Sequence, residues 1–162
     1  MAELEKVQPR KFKYLLEESY IAMIKNSIGT KMFRNYFVKN EQGKKQDILN
    51  NGDLSCPIFV GHVLKNFNLI DTLHFTVTRT VEDIERNSWK KVNFDKLQPG
   101  DVLVWSASKG RTGFHTHIGF YIGNKKAVSN SSKRRAIGKH HFTYSGQRVI
   151  TGAYRPDWSK FK

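Results

Sequence analysis

Cysteine is almost missing from this chain: Cys56 is the only one in 162 residues. A single thiol excludes an internal disulfide framework and says little about redox compartment. Apolar runs are short, and none is long enough to span a bilayer. The N-terminus, Met1-Ala2-Glu3-Leu4-Glu5-Lys6, lacks the apolar stretch of a secretory signal. The expectation is a chain made in the cytoplasm that another system exports or releases if it acts outside the cell. Acidic residues are few as well, 14 Asp and Glu against 28 Lys and Arg, a net charge of +14. Such an excess suits an acidic partner: nucleic acid, an anionic membrane surface or an anionic wall polymer. A nucleic-acid-binding module is not favoured, because no RNP-like strand, helix-turn-helix or zinc-finger spacing is present. No repeat, low-complexity tract or linker interrupts residues 1–162, so one domain is expected, with 1–11 a loose tail.

What is present is organised around the cysteine. In Asn51-Gly52-Asp53-Leu54-Ser55-Cys56-Pro57, Ser55 suits a helix N-cap and Pro57 the first helical position. Ile58, Phe59, Val60, Val63, Leu64 and Phe67 follow at helical spacing. Cys56 is therefore expected at the N-terminus of a buried helix, where free amides and the helix dipole favour a thiolate. The bland alternative is a small buried hydrophobe.

Around it the pattern reads as helices first and strands later. Lys13 to Ser27 is expected as an amphipathic helix, Met32 to Val38 as a short extended segment, and Asn40 to Asn51 as a loop. Thr80-Val81-Glu82-Asp83 resembles a capping box opening a short helix. Leu97-Gln98-Pro99-Gly100-Asp101 is a turn, and Val102 to Trp105 a buried strand. Ser106 to Gly113 reads as a loop. His117-Ile118-Gly119-Phe120-Tyr121-Ile122 alternates, with His117, Gly119 and Tyr121 on one face. Gly123-Asn124 is a hairpin signal, Ala127 to Ser131 the return strand, and Arg148 to Tyr154 the last strand. Helices followed by an antiparallel meander make an α+β fold.

A thiol nucleophile needs a base, and the base needs a polar group to hold its tautomer. His117 is the candidate base. With a two-residue turn at Gly123-Asn124, Ile122 pairs with Lys125 and Asn130 falls opposite His117, which favours Asn130 as third member. A loop one residue longer turns Asn130 away and brings Ser129 or Ser131 to that face. His140 is a fallback. The Cys56 N–H is the natural oxyanion donor, and Asn50 or Asn51 could add a side-chain donor. Asn51, Asp53, Ser55 and Ser129 complete the candidate substrate-binding or oxyanion set. His115, His117, His140, His141 and Cys56 fit no common zinc spacing, so no metal and no cofactor is expected. Lys133-Arg134-Arg135 reads as a solvated loop, or as an attractant for carboxylates or phosphates if it lies near the cleft.

Three segments together, Asp53 to Val60, Leu97 to Trp105 and His117 to Asn124, resemble the NlpC-type cell-wall peptidase superfamily and its CHAP amidase relatives, over residues 50–154. The resemblance implies a papain-like fold with N-terminal helices packed on the meander, and a Cys-His-polar site with Cys56 as nucleophile and His117 as base. It implies hydrolysis of amide bonds in peptidoglycan stem peptides or at the sugar–peptide junction. The expected partner is peptidoglycan or another acidic, peptide-containing polymer, met by a monomer. The chain departs from the family in having Ser55 and Pro57 around the cysteine, where Asp and a small residue are usual. Ser129 stands where NlpC members usually carry a third histidine, and the CHAP-like pattern fits Asn130. The same catalytic pair also serves papain-fold enzymes that deamidate proteins or transfer acyl groups.

Overall fold

The computed structural model describes residues 13–160; the tail expected at 1–11 lies outside them. Helix α1 is Leu16–Asn26, with Glu17 and Glu18 in its first turn and Lys25 in its last, the charge order its dipole favours. Tyr20 and Ile24, one turn apart, are its buried residues. The Tyr20 hydroxyl donates to the Gly100 carbonyl at 2.8 Å, and its ring meets Phe67, Phe120 and Trp158 edge-on. This fastens the helix over the 97–101 turn, where Gly100 holds a φ of +96° that disfavours other residues.

A small hairpin follows, β1 Phe37–Lys39 and β2 Lys45–Asp47. β2 lies inside the segment expected to be loop, and β1 is shorter than the extended segment expected from Met32. Helix α2, Cys56–Asn66, starts where the sequence placed it and is buried over most of its length. Helix α3, Val77–Arg86, begins one turn earlier than the Thr80 capping box suggested. Thr76 is its N-cap and accepts from the Arg79 N–H, while Thr80 lies inside the helix and returns its hydroxyl to the Thr76 carbonyl. Two capping-competent threonines four residues apart compete for the same role, and the one preceded by loop wins.

The remaining strands form one antiparallel sheet: β3 Lys90–Lys91, β4 Val102–Gly110, β5 Gly113–Gly123, β6 Lys126–Ser131, β7 Ala136–His141 and β8 Ile150–Arg155. Their spatial order is β3-β8-β4-β5-β6-β7. Strands β4 to β7 are a meander, and β8 returns to the far side of β4. The expected helix-plus-meander layout is the one observed, with two differences. β7 falls in a stretch to which the sequence assigned no element. The supposed loop from Ser106 to Gly113 is largely the far end of the β4–β5 hairpin, paired at Ser108 with His115 and at Lys109 with Phe114 beyond a bulge after Trp105.

The main core lies between the helices and one sheet face, with Phe59, Val63 and Leu64 of α2 meeting Ile118, Phe120 and Val128. Leu103, Trp105, Ala127, Ile150 and Ala153 pack on the other face. Alternation along β5 thus divides Ile118 and Phe120, toward the helices, from His117, Gly119 and Tyr121. Buried Asp101 ties β8 to the turn, accepting from Arg155 at 2.7 and 2.8 Å and from the Gln98 N–H at 2.8 Å. Among the described residues no helix is long and apolar enough to cross a membrane.

Candidate active site

The start of α2, the middle of β5 and β6, the end of β7 and the 144–148 segment converge on a cavity of about 720 Å³. Cys56, His117, Ser129, His140, Tyr144 and Arg148 line it. Phe114, 73% exposed on the β4–β5 hairpin, stands in the wall. Cys56 is 9% exposed, deep in the cavity.

One N–H of the helix start and one of β5 act on the sulfur. The N–H groups of Ile118 and of Cys56 itself point to Sγ, so the thiol lies beside the residue that follows His117. Burial pushes the Cys56 thiol up to about 12, outweighing those N–H groups and the Arg148 charge, which favour the thiolate. Burial, reinforced by the Arg148 charge and, whenever that ring is protonated, by His140, brings His117 down to about 3. At neutral pH both members are therefore uncharged in the resting protein. The helix N-terminus does not by itself hold a resting thiolate, because desolvation exceeds what its amides return.

His117 Nε2 lies 2.9 Å from Ser129 Oγ. Ser129 Oγ is also 2.8 Å from His140 Nε2 and 3.0 Å from the Tyr144 hydroxyl. His140 and Tyr144 stack with ring centroids 4.0 Å apart. Trp105 forms a common floor, its ring 5.5 Å from that of His117 and 5.6 Å from those of His140 and Tyr144.

Asn130 is not the group against His117. Its side-chain amide donates to the Gly52 carbonyl at 2.8 Å. The hairpin turn is Asn124-Lys125, with φ of 51° and 56°; Gly123 pairs with Lys126, and a bulge at Ile122 then sets Tyr121 opposite Ala127 and Gly119 opposite Ser129. That one-step shift turns Asn130 to the other face and brings Ser129 to the histidine. Gly119 makes the approach possible, because a Cβ there would lie 2.7 Å from the Ser129 Cβ.

The other candidates separate. Asn50 and Asn51 are exposed and not among the cavity-lining residues. The Asn51 N–H donates to the Asp47 carboxylate at 2.8 Å, so it is a turn residue and no oxyanion donor. Ser55 occupies the N-cap position, but its hydroxyl makes no capping bond and is buried without a hydrogen-bond partner. Asp53 does line the cavity, 3.8 Å from Arg111. Among the described residues no three His, Cys, Asp or Glu side chains are grouped to hold a metal.

Tyr144 and Arg148 were not among the candidate residues: Tyr144 lies in a segment with no strand period, and Arg148, expected to open the last strand, precedes β8, which starts at Ile150. Arg148 reaches Ser108 and, at 3.3 Å, the His115 carbonyl, with its guanidinium 5.5 Å from the centre of the Tyr144 ring. Lys133 and Arg134 also line the cavity, so the basic run is not merely a solvated loop. Against Lys109, Lys133, Arg134 and Arg148, Asp53 is the one carboxylate among the lining residues; the cavity field is positive.

No family model and no curated protein matches the chain. Solved structures do match in fold. NlpC2 from Trichomonas vaginalis aligns with a TM-score of 0.55 at 16% identity, covering 91% of this chain and 48% of its own. A protein similar to lipoprotein, of the NLP/P60 family, from Staphylococcus aureus aligns with a TM-score of 0.52 at 13% identity, covering 94% of this chain and 45% of its own. The chain spans about half the length of these structures. Its fold is NlpC-type, an α+β papain-like arrangement of helices on an antiparallel sheet.

Proposed function

We propose that the protein is a cysteine hydrolase that cleaves amide bonds, with peptide-containing wall polymer, peptidoglycan, as its substrate class. The observation that carries this reading is the meeting of Cys56, at the first turn of α2, with His117 in one cavity, the Ile118 N–H directed at the sulfur. The positive lining of that cavity supports an acidic substrate.

In this reading Cys56 is the nucleophile and His117 the general base. Ser129 holds Nε2 of the imidazole, which leaves Nδ1 to accept the thiol proton as the sulfur attacks the amide carbonyl. The pair charges only at that moment, so the base must be neutral beforehand, as a depressed His117 is. The developing oxyanion is stabilised by the Cys56 N–H at the helix N-terminus. The imidazolium returns its proton to the leaving amine, giving a thioester. Water, deprotonated by His117, then releases the acid and restores the thiol. Residues 1–162 act as one catalytic unit in this proposal.

The test is incubation of the purified chain with sacculi from several bacteria and mass spectrometry of soluble products. Released peptides are expected, absent with Cys56→Ala. No release from any wall chemistry, with the wild type and Cys56→Ala alike, rejects the substrate. Cys56-dependent deamidation or acyl transfer on a protein keeps the thiol chemistry and replaces the substrate. Tight, salt-sensitive nucleic-acid binding unchanged by Cys56→Ala, with no hydrolysis, rejects both.

A further inference from the structure

Ser129 Oγ has three neighbours and one proton. A hydroxyl donates once and accepts twice, so one neighbour must accept and two must donate. The identity of the acceptor follows from the far end of the cluster. His140 Nδ1 lies 2.8 Å from the His141 carbonyl, and a carbonyl oxygen only accepts. Nδ1 of His140 therefore carries a proton. His140 is held below its ordinary value by burial, which outweighs the His141 carbonyl bond that favours its protonation, with the Arg134 and Arg148 charges adding to the fall, so the ring is neutral at neutral pH and its Nε2 is a bare acceptor. The Ser129 proton goes there. Both lone pairs of Ser129 are then left to receive the Tyr144 O–H and the His117 Nε2–H.

We propose that His140 is a positioning residue which, through Ser129, holds His117 in the Nε2–H tautomer and so keeps Nδ1 free for the Cys56 proton. One backbone carbonyl, that of His141, sets the protonation pattern of a ring two side chains away. Without His140 the Ser129 hydroxyl loses its acceptor, turns to His117 Nε2 and donates to it. The proton of His117 then moves to Nδ1, the nitrogen that takes the thiol proton in the proposed reaction, and that nitrogen can no longer accept. His140 touches neither the sulfur nor the site of attack in this assignment; it acts on the base alone. The catalytic consequence rests on the hydrolase reading above, whereas the tautomer assignment stands on the hydrogen-bond geometry together with a neutral His140.

The test is a long-range proton–nitrogen correlation spectrum of the full chain with ¹⁵N-labelled histidine, at neutral pH and without substrate. In the wild type, His117 is expected with a protonated Nε2 and bare Nδ1, and His140 with the opposite pattern. In His140→Phe, which keeps an aromatic ring against Tyr144 and Trp105, the His117 pattern is expected to invert, and kcat to fall roughly 10²–10⁴-fold with little change in KM. Tyr144→Phe removes a donor rather than the acceptor and is expected to leave the His117 tautomer as it was. A wild-type His117 protonated at Nδ1, or a His117 pattern unchanged in His140→Phe, overturns the proposal. If His140→Phe does not fold, the wild-type spectrum decides alone. No readout in this spectrum depends on the identity of the substrate, so failure of the peptidoglycan assay and failure of the relay are separate results.

Discussion

Replacing Gly119 with alanine tests whether the close approach of β5 to β6 makes the site. The added methyl would lie 2.6 Å from the Val128 carbonyl oxygen, 2.7 Å from the Ser129 Cβ and 3.1 Å from the Trp105 ring. Two of these neighbours belong to β6 and one of them is backbone, so rotamer change cannot relieve the clash. Restoring an ordinary contact needs about 0.7 Å of strand separation. The same displacement stretches the 2.9 Å His117–Ser129 bond to about 3.6 Å, outside hydrogen-bond range. Overpacking of this kind costs about 1–3 kcal/mol, which for a chain of this length lowers Tm by roughly 2–12 °C. Loss of the orienting bond is expected to lower kcat/KM roughly 10²-fold beyond the stability effect. Thermal unfolding and hydrolysis kinetics on the folded fraction measure the two separately. A Gly119→Ala protein with wild-type Tm and wild-type rate would refute the packing account of the site.

Iodoacetamide labelling of Cys56 is expected to be slow at pH 7 and still rising beyond pH 9, because burial pushes the thiol up to about 12; a plateau below pH 8, followed by mass spectrometry, contradicts a neutral resting pair. The depressed His117 has a linked effect on stability. The unfolded chain binds that proton near the ordinary value of about 6.5 and the folded chain only near 3. The contribution is therefore complete above pH 6.5 and is lost as pH falls from there toward 3. Urea midpoints are expected to fall between pH 7 and 5, less steeply in His117→Gln; a rising midpoint rejects the sign. Asp101→Asn leaves the Arg155 guanidinium, 28% exposed, without its charged partner and is expected to cost about 1.5–3 kcal/mol; a chemical-denaturation loss under about 0.5 kcal/mol refutes the assigned role of that pair.

The features legible in the sequence were those set by local rules. Pro57 and the apolar spacing after it placed the start of α2, and the alternation from His117 to Ile122 assigned faces correctly. Register was not local. Gly123-Asn124 is a reasonable turn, yet the chain turns one residue later and bulges at Ile122, and that step exchanged Asn130 for Ser129. The family spacing already put Ser129 at the third-member position, and a bulge is what reconciles it with the hairpin. β7 was hidden because Ala136-Ile137-Gly138-Lys139-His140-His141 has no clean alternation, although its partner β6 covers it. Tyr144 and Arg148 reach the site only through tertiary packing. The expected resting thiolate failed for a quantitative reason: helix-end stabilisation was weighed without the burial that opposes it.

Adjacent side chains on β6 serve two different segments that bound the cavity. Ser129 faces the imidazole, and Asn130 moors the Gly52 carbonyl in the segment that delivers the cysteine. A one-residue insertion or deletion at Asn124-Lys125 would reverse both assignments at a stroke, leaving the amide toward the ring and the hydroxyl toward the loop. Residue identity at that bend can drift, provided the left-handed backbone survives, but its length cannot. The hairpin tip behaves as a phase lock for the cavity that Cys56 and His117 line.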